Sequence, residues 1–280
     1  MPVDHYENFP VASIVLPKHL RQPVEAIYRF ARAADDIADE GQAPAEDRLA
    51  ALGAFHDALH LIAKGQTLAV ADLPASLSRI FVPLAATISQ QQLPLVPFFD
   101  LLSAFEQDIQ TKRYEDFAAL QRYCERSANP VVRLMLYLYR HTDRASLAQS
   151  DAICTALQLI NFVQDVAIDW QKDRIYLPND EMQRFGVTSD TIDQQRCDLS
   201  FKNLMAFQID RCRSLLKSGE PLGRSLSGRI GLELRLIMHG GWRILDLIEK
   251  KQYDIFRHRP TLAKSDWAIL LWRGLLRKPL

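Results

Sequence analysis

Apolar residues recur at three- and four-residue steps along most of this chain, and no stretch sustains the two-residue alternation of a half-buried strand. That periodicity predicts helices over roughly 21–39, 45–64, 75–90, 94–112, 117–128, 130–141, 147–171, 199–218, 226–251 and 262–276. Gly41, Gly65, Pro74, Pro94 and Pro130 supply breaks between them. No Pro/Gly/Ser-rich linker and no solenoid-length repeat divides the chain. The expected fold is all-α, a single domain over residues 1–280.

Two of these helices carry an unusual polar stripe. Asp35 and Asp39 in YRFARAADDIAD, and Asp165 and Asp169 in LQLINFVQDVAIDW, each stand at i and i+4 on one helix face. At 100° per residue Tyr28, Arg32, Asp35 and Asp39 share an arc of about 60°, and Gln158, Asn161, Asp165 and Asp169 one of about 80°. Leu157, Leu159, Ile160, Phe162, Val163, Val166 and Ile168 take nearly every other direction of the second helix, so it should be buried. Carboxylates stacked on a buried helix repel one another and are costly unless something positive neutralises them. A divalent cation does so, and Mg2+ favours carboxylate oxygens, keeps much of its water and completes its shell with substrate phosphate. One acidic pair alone is an ordinary solvated face. Two together, one with Arg and Tyr and the other with Gln and Asn in register, point to stripes facing each other across a cavity and holding a diphosphate.

Composition narrows the remaining classes. With 34 basic against 34 acidic residues the chain has no cationic excess, and no nucleic-acid partner is expected. GRSLSGRIG at 223–231 fits neither a dinucleotide fingerprint nor a P-loop. The four cysteines, Cys124, Cys154, Cys197 and Cys212, lack zinc or disulfide spacing and fit a reducing cytoplasm. The N-terminus lacks an export signal, and no apolar run is long enough to span a bilayer. His56 and His60 stand at i, i+4 without a third ligand and read as surface or packing residues.

Two segments fit no helix. DHYENFP at 4–10 is a polar-aromatic lead-in placed to close over a cavity mouth. In KDRIYLP, directly after the second stripe, Lys172 reads as complementing a helix end, while Arg174 with Tyr176 is placed to reach a diphosphate through its planar donor fork.

The ordered set HYENF, YRFARAADDIAD, RYCERSANPV, LQLINFVQDVAIDW and RIYLP resembles the squalene/phytoene synthase family over about residues 4–255. The lead-in DHYENFPVAS, NFVQDVAIDW and HGGWRIL at 239–245 resemble most the members that form hydroxysqualene in the bacterial hopanoid route. The resemblance implies a class I terpenoid-synthase fold, with Asp-rich helices flanking a deep apolar cavity. It implies Asp35 and Asp39 as the first metal motif, and Asn161, Asp165 and Asp169 as the second. Mg2+ is the implied cofactor, with Mn2+ able to substitute and no nicotinamide cofactor. Arg32, Tyr28, Gln158 and the segment His5, Tyr6, Asn8 and Phe9 resemble substrate contacts, Tyr123 lies beside the reacting carbons, and Arg174 and Tyr176 form a flap on the diphosphate side. Three positions depart from the condensing members: Gln164 stands on the substrate side where they usually carry Arg, Val132 where they carry a small residue, and Gly240-Gly241 where they carry larger side chains.

The implied activity is conversion of presqualene diphosphate and water to hydroxysqualene and diphosphate. The alternatives are head-to-head condensation of two prenyl diphosphates and, in another class, a non-catalytic assembly protein that keeps the helical shell. The expected partners are a prenyl diphosphate lipid, neighbouring enzymes of the pathway to which product is handed, and a membrane surface. The last rests on residues 267–278, where two tryptophans, six aliphatic residues and three cations crowd together. Either Ile269, Trp272 and Leu276 dock this helix on the domain, or it lies in the bilayer interface on the inner face of the cytoplasmic membrane.

Overall fold

A computed structural model describes residues 17–39, 43–257, 259–276 and 278–280. The lead-in residues His5, Tyr6, Asn8 and Phe9 and the break at Gly41 lie outside the described residues. Every regular element among those described is a helix: α1 (Lys18–Asp39), α2 (Ala45–Ala63), α3 (Thr67–Ala71), α4 (Ala75–Gln91), α5 (Val96–Gln110), α6 (Phe117–Ser127), α7 (Asn129–Leu138), α8 (Arg144–Gln164), α9 (Val166–Gln171), α10 (Asn179–Phe185), α11 (Ser189–Asp193), α12 (Leu199–Ser225), α13 (Gly228–Lys250) and α14 (Lys264–Leu275). Three of the starts are set by aspartates whose side chains accept a first-turn amide: Asp116 from Ala119, Asp143 from Ser146 and Asp198 from Phe201.

The apolar faces gather into two cores. One is built from α1, α2, α4, α5 and α7 around Phe30, whose ring meets Phe81 at 5.8 Å and Phe98 at 5.4 Å, both edge-on. The other joins α6, α8, α12 and α13. Val24, Ile27, Leu101 and Phe105 of the first core and Tyr123, Phe162 and Tyr176 of the second line one cavity between them. The two cores thus set α1 and α8 as its opposing walls.

Two departures from the expected elements bear on the site. The predicted 147–171 helix is two helices, because Asp165 leaves helical geometry at φ −107°, ψ 12°. The turn still holds: the Asp165 amide donates to Asn161 O at 2.9 Å, and Asp165 O accepts from the Ile168 and Asp169 amides at 2.8 Å each. Asn161, Asp165 and Asp169 therefore stay in register across the break. The predicted 199–218 helix runs on through Pro221 to Ser225. Its glycines are packing positions rather than stops, since a Cβ on Gly219 would overlap Ile153 of α8 and stand 2.8 Å from Gln149 O.

Gly240 and Gly241 prove to be packing positions as well. A Cβ on Gly241 would stand 2.8 Å from Leu157 Cδ2 and 3.1 Å from Ile160 Cδ1, on the back of α8, and one on Gly240 would meet Leu262. Neither borders the cavity, so their small size serves the approach of α13 to α8. Gly219→Ala is expected to lower stability by about 1–3 kcal/mol despite the better helix propensity of Ala, because its neighbours include fixed backbone. Gly241→Ala meets only side-chain tips and should cost less. Urea denaturation of the two variants checks the order.

Candidate active site

The cavity encloses about 440 Å³, and both acidic stripes open into it. Tyr28, Arg32, Asp35 and Asp39 reach it from α1, Gln158, Asn161 and Phe162 from α8, Asp165 from the break and Asp169 from α9. Leu101, Phe105 and Asp108 come from α5, Tyr123 from α6, Val131 and Met135 from α7, and Lys172, Arg174 and Tyr176 from the loop after α9. That loop is clamped to the segment after α5: the Ile175 amide donates to Lys112 O at 3.0 Å, the Asn179 amide to Tyr114 O at 2.9 Å, and Arg113 pairs with Asp173 at 2.8 Å.

Burial sorts the lining into two ends. Asp39 is exposed and Asp35, Asp165 and Asp169 are partly so, whereas Leu101, Phe105 and Tyr123 are buried. Arginines sit among the carboxylates at the open end. Arg32 pairs with Asp35 at 3.2 Å and Asp36 at 2.7 Å. Arg174 donates to Asp39 Oδ1 at 2.9 Å and to Asp108 O at 3.3 Å. Arg259 grips both oxygens of Asp165, with Nη2 at 3.0 Å from Oδ2. At the closed end Phe162 and Tyr176 stack face to face at 3.8 Å, with Tyr123 6.2 Å from Phe162 and Tyr114 5.7 Å from Tyr176.

Several expected roles change. Gln164 is buried outside the cavity and donates to Pro260 O, so it anchors residues 259–263 instead of contacting substrate. It leaves the stripe because it precedes Asp165 by one residue and projects about 100° away. Val131 and Met135, not Val132, face the cavity from α7. Arg174 and Tyr176 part company: Arg174 joins the carboxylates, while Tyr176 packs into the aromatic end and forms no flap. Lys172, expected only to complement a helix end, also lines the cavity. His56 pairs with Glu106 at 3.2 Å and, with His60, packs against Phe99, as expected of packing residues.

Asp108 and Arg259 were not anticipated. Asp108 shares an arc of about 60° on α5 with Leu101 and Phe105, and a lone carboxylate in that apolar stripe was the available signal. Arg259 lies outside any helical register and gave none. Asp108 is buried, Tyr123 Oη donates to its Oδ2 at 3.0 Å, and its Oδ1 is buried without a hydrogen-bond partner. Burial pushes its carboxyl up to about 7 against the pull of Tyr123 and Arg174. Burial and the neighbouring Asp165 charge push Asp169 up to about 7 as well.

These donors suit a hard cation. Asp35, Asp39, Asn161, Asp165 and Asp169 offer oxygen ligands, and the burial and carboxylate crowding that raise Asp169 are both offset by a nearby positive charge. Among the described residues no three carboxylate, imidazole or thiol groups are gathered round one point.

The sequence pattern of squalene/phytoene synthase matches residues 3–266. The chain belongs to the squalene/phytoene synthase family. Among its relatives, the hydroxysqualene synthase of Zymomonas mobilis is 34% identical over 235 residues, 82% of this chain and 75% of that protein. The hydroxysqualene synthase of Rhodopseudomonas palustris is 33% identical over 266 residues, 94% and 86% of the two. The structure of the squalene synthase HpnC from Alicyclobacillus acidocaldarius superposes with a TM-score of 0.79 at 34% identity, covering 89% of this chain and 90% of that one. As a member of the squalene/phytoene synthase family, the chain is a prenyl-diphosphate-processing enzyme with the terpenoid-synthase fold.

The raised carboxyls make stability depend on pH. Asp108 and Asp169 ordinarily ionise near 3.8 but in the folded chain at about 7, so the folded state holds their protons more tightly than the unfolded chain. Their stabilising contribution is complete below about pH 4 and is lost as pH rises to about 7. Asp108→Asn should therefore stabilise the metal-free protein at pH 8 by about 1 kcal/mol or more, and the gain should shrink by pH 5.5. Urea denaturation at the two pH values checks this; an equal gain at both would show that charge burial is not its source.

Proposed function

We propose that this enzyme ionises presqualene diphosphate and lets water capture the rearranged cation, releasing hydroxysqualene and inorganic diphosphate. The observation that carries the reading is the polarity of one cavity, with carboxylates and cations at its open end and aromatic and aliphatic side chains at its closed end. The hydroxysqualene synthases among its relatives favour this product over a condensed one.

Asp35, Asp39, Asn161, Asp165 and Asp169 would hold Mg2+, which supplies Lewis-acid stabilisation of the leaving diphosphate. Arg32, Lys172 and Arg174 line the same end, and their fixed N–H donors meet the negative charge that grows as the ester C–O bond breaks. The closed end does the opposite work. The faces of Phe162, Tyr176 and Tyr123 stabilise a carbocation, and the aliphatic wall of Val24, Ile27, Leu101 and Met135 keeps out unwanted nucleophiles. Water capture forms one C–O bond and sheds one proton. Asp108 faces the cavity with an unpartnered oxygen and a carboxyl that ionises near neutral pH, so it is the group that takes that proton.

Purified enzyme with Mg2+ should consume presqualene diphosphate much faster than farnesyl diphosphate and place oxygen from labelled water in the product. Presqualene diphosphate accumulating rapidly from farnesyl diphosphate alone would replace the reading with head-to-head condensation. Asp35→Ala should lower turnover on the order of 100-fold or more with little change in stability. Asp165→Ala should match it in turnover but also lose stability, because the Arg259 bridge goes with it. Wild-type diphosphate release from either folded variant would place the chemistry elsewhere.

A further inference from the structure

The helix α14 docks on α13 by a face the sequence did not indicate. Asp266, Leu270 and Gly274 are its buried residues, and Ile269, Trp272 and Leu276, the stripe that would have docked the helix in one of the two sequence readings, all face outward. Asp266 accepts from Arg243 Nε at 2.9 Å and from its own Ala263 amide at 2.8 Å. Gly274 O accepts from buried Arg235 Nε at 2.8 Å. A Cβ at Gly274 would crowd Leu236 and Leu232, at 3.1 and 3.3 Å. The two polar anchors and this close approach fix which face points out.

Beyond the first turn of α14 that outward face is apolar. From Trp267 onward, Trp267, Ile269, Leu271, Trp272, Leu275 and Leu276 sweep about 200° of the helix with no charged or polar side chain among them. They are six of the ten large apolar side chains exposed among the described residues, with Trp272 at 60% and Leu275 at 59% exposure. A patch this continuous marks an interaction surface. Its rim has one sign: among the described residues of this segment, Lys264, Arg273 and Lys278 are the charged side chains that reach solvent, and Lys278 Nζ lies 5.9 Å over the Trp272 ring.

We propose that the outer face of α14 docks on an anionic lipid bilayer, lying in its interface. Tryptophans settle at the headgroup level, leucines reach the upper acyl chains, and lysine and arginine at both ends meet lipid phosphate. The twelve residues of α14 fall short of the roughly 20 that cross a bilayer, and no described helix is long and apolar enough to do so. Charge selects lipid over a second copy of this chain. A symmetric contact through this face would bring cationic rims together, whereas anionic headgroups neutralise them.

The test uses the full chain and sedimentation with vesicles of phosphatidylcholine, with and without phosphatidylglycerol. Wild-type protein should pellet with the anionic vesicles and be released by salt. Leu271→Glu combined with Leu275→Glu should weaken that binding about tenfold or more, since it places two charges in the acyl region. Both positions are exposed, so thermal unfolding and turnover in detergent should match wild type. Lys264→Gln with Lys278→Gln should reduce binding to anionic vesicles alone. Failure of wild type to pellet, or equal pelleting of the Glu variant, overturns the proposal. So does a wild-type dimer that dissociates in the Glu variant without vesicle binding, which would assign the face to a second copy. The readout is independent of substrate, so it stands or falls apart from the reaction proposed above.

Discussion

Carboxylates gathered round one apolar cavity lose water and repel one another, and the placement of the nearby cations answers that cost. Two like charges about 4 Å apart cost roughly 4 kcal/mol in a half-screened environment and far more in a dry one. Arg32, Arg174 and Arg259 each hold a carboxylate of the site, from α1 itself, from the loop after α9 and from the segment before α14. Asp169 shows what remains uncompensated, with its carboxyl pushed up to about 7. Planar guanidinium groups that satisfy carboxylates in this state have the donor geometry that phosphate oxygens require. The fold therefore keeps phosphate-binding groups ordered while they stabilise the acidic wall.

The second requirement is a rigid back to that wall. α8 carries its polar stripe on one side and packs α12 and α13 on others, and close approach at Gly219 and Gly241 replaces side-chain bulk with backbone contact. A helix held this closely has little freedom to turn, so Gln158, Asn161 and Phe162 keep one orientation toward the cavity. The break at Asp165 re-aims the end of the helix without losing register, because its carbonyl still accepts the Ile168 and Asp169 amides.

Local periodicity made the helices and both acidic stripes legible, since the residues concerned lie within a few turns of one another. Tyr28, Arg32, Asp35 and Asp39, with Gln158, Asn161, Asp165 and Asp169, reach one cavity as their spacing implied. What escaped was set by tertiary packing. Gln164 and Val132 lie next to cavity residues in sequence but point away, and Gly240-Gly241 serve a helix contact. Family-level resemblance cannot see which way such a neighbour turns. At α14 the sequence left two readings open for a different reason: its apolar residues nearly encircle the helix, so hydrophobicity could not say which side docks, and two polar anchors decide it.

The Arg259–Asp165 pair joins residues 94 positions apart, and Arg174–Asp39 spans 135. Counter-ions supplied from so far along the chain arrive only after long loops have closed. Until then Arg32 answers only Asp35 and Asp36 within α1, while Asp39 and Asp165 lack the distant arginines that pair with them in the folded chain. Assembly of the site is thus tied to completion of the whole fold. A nascent chain that has not yet delivered its last quarter holds both aspartate motifs, yet lacks the cation that fastens the second.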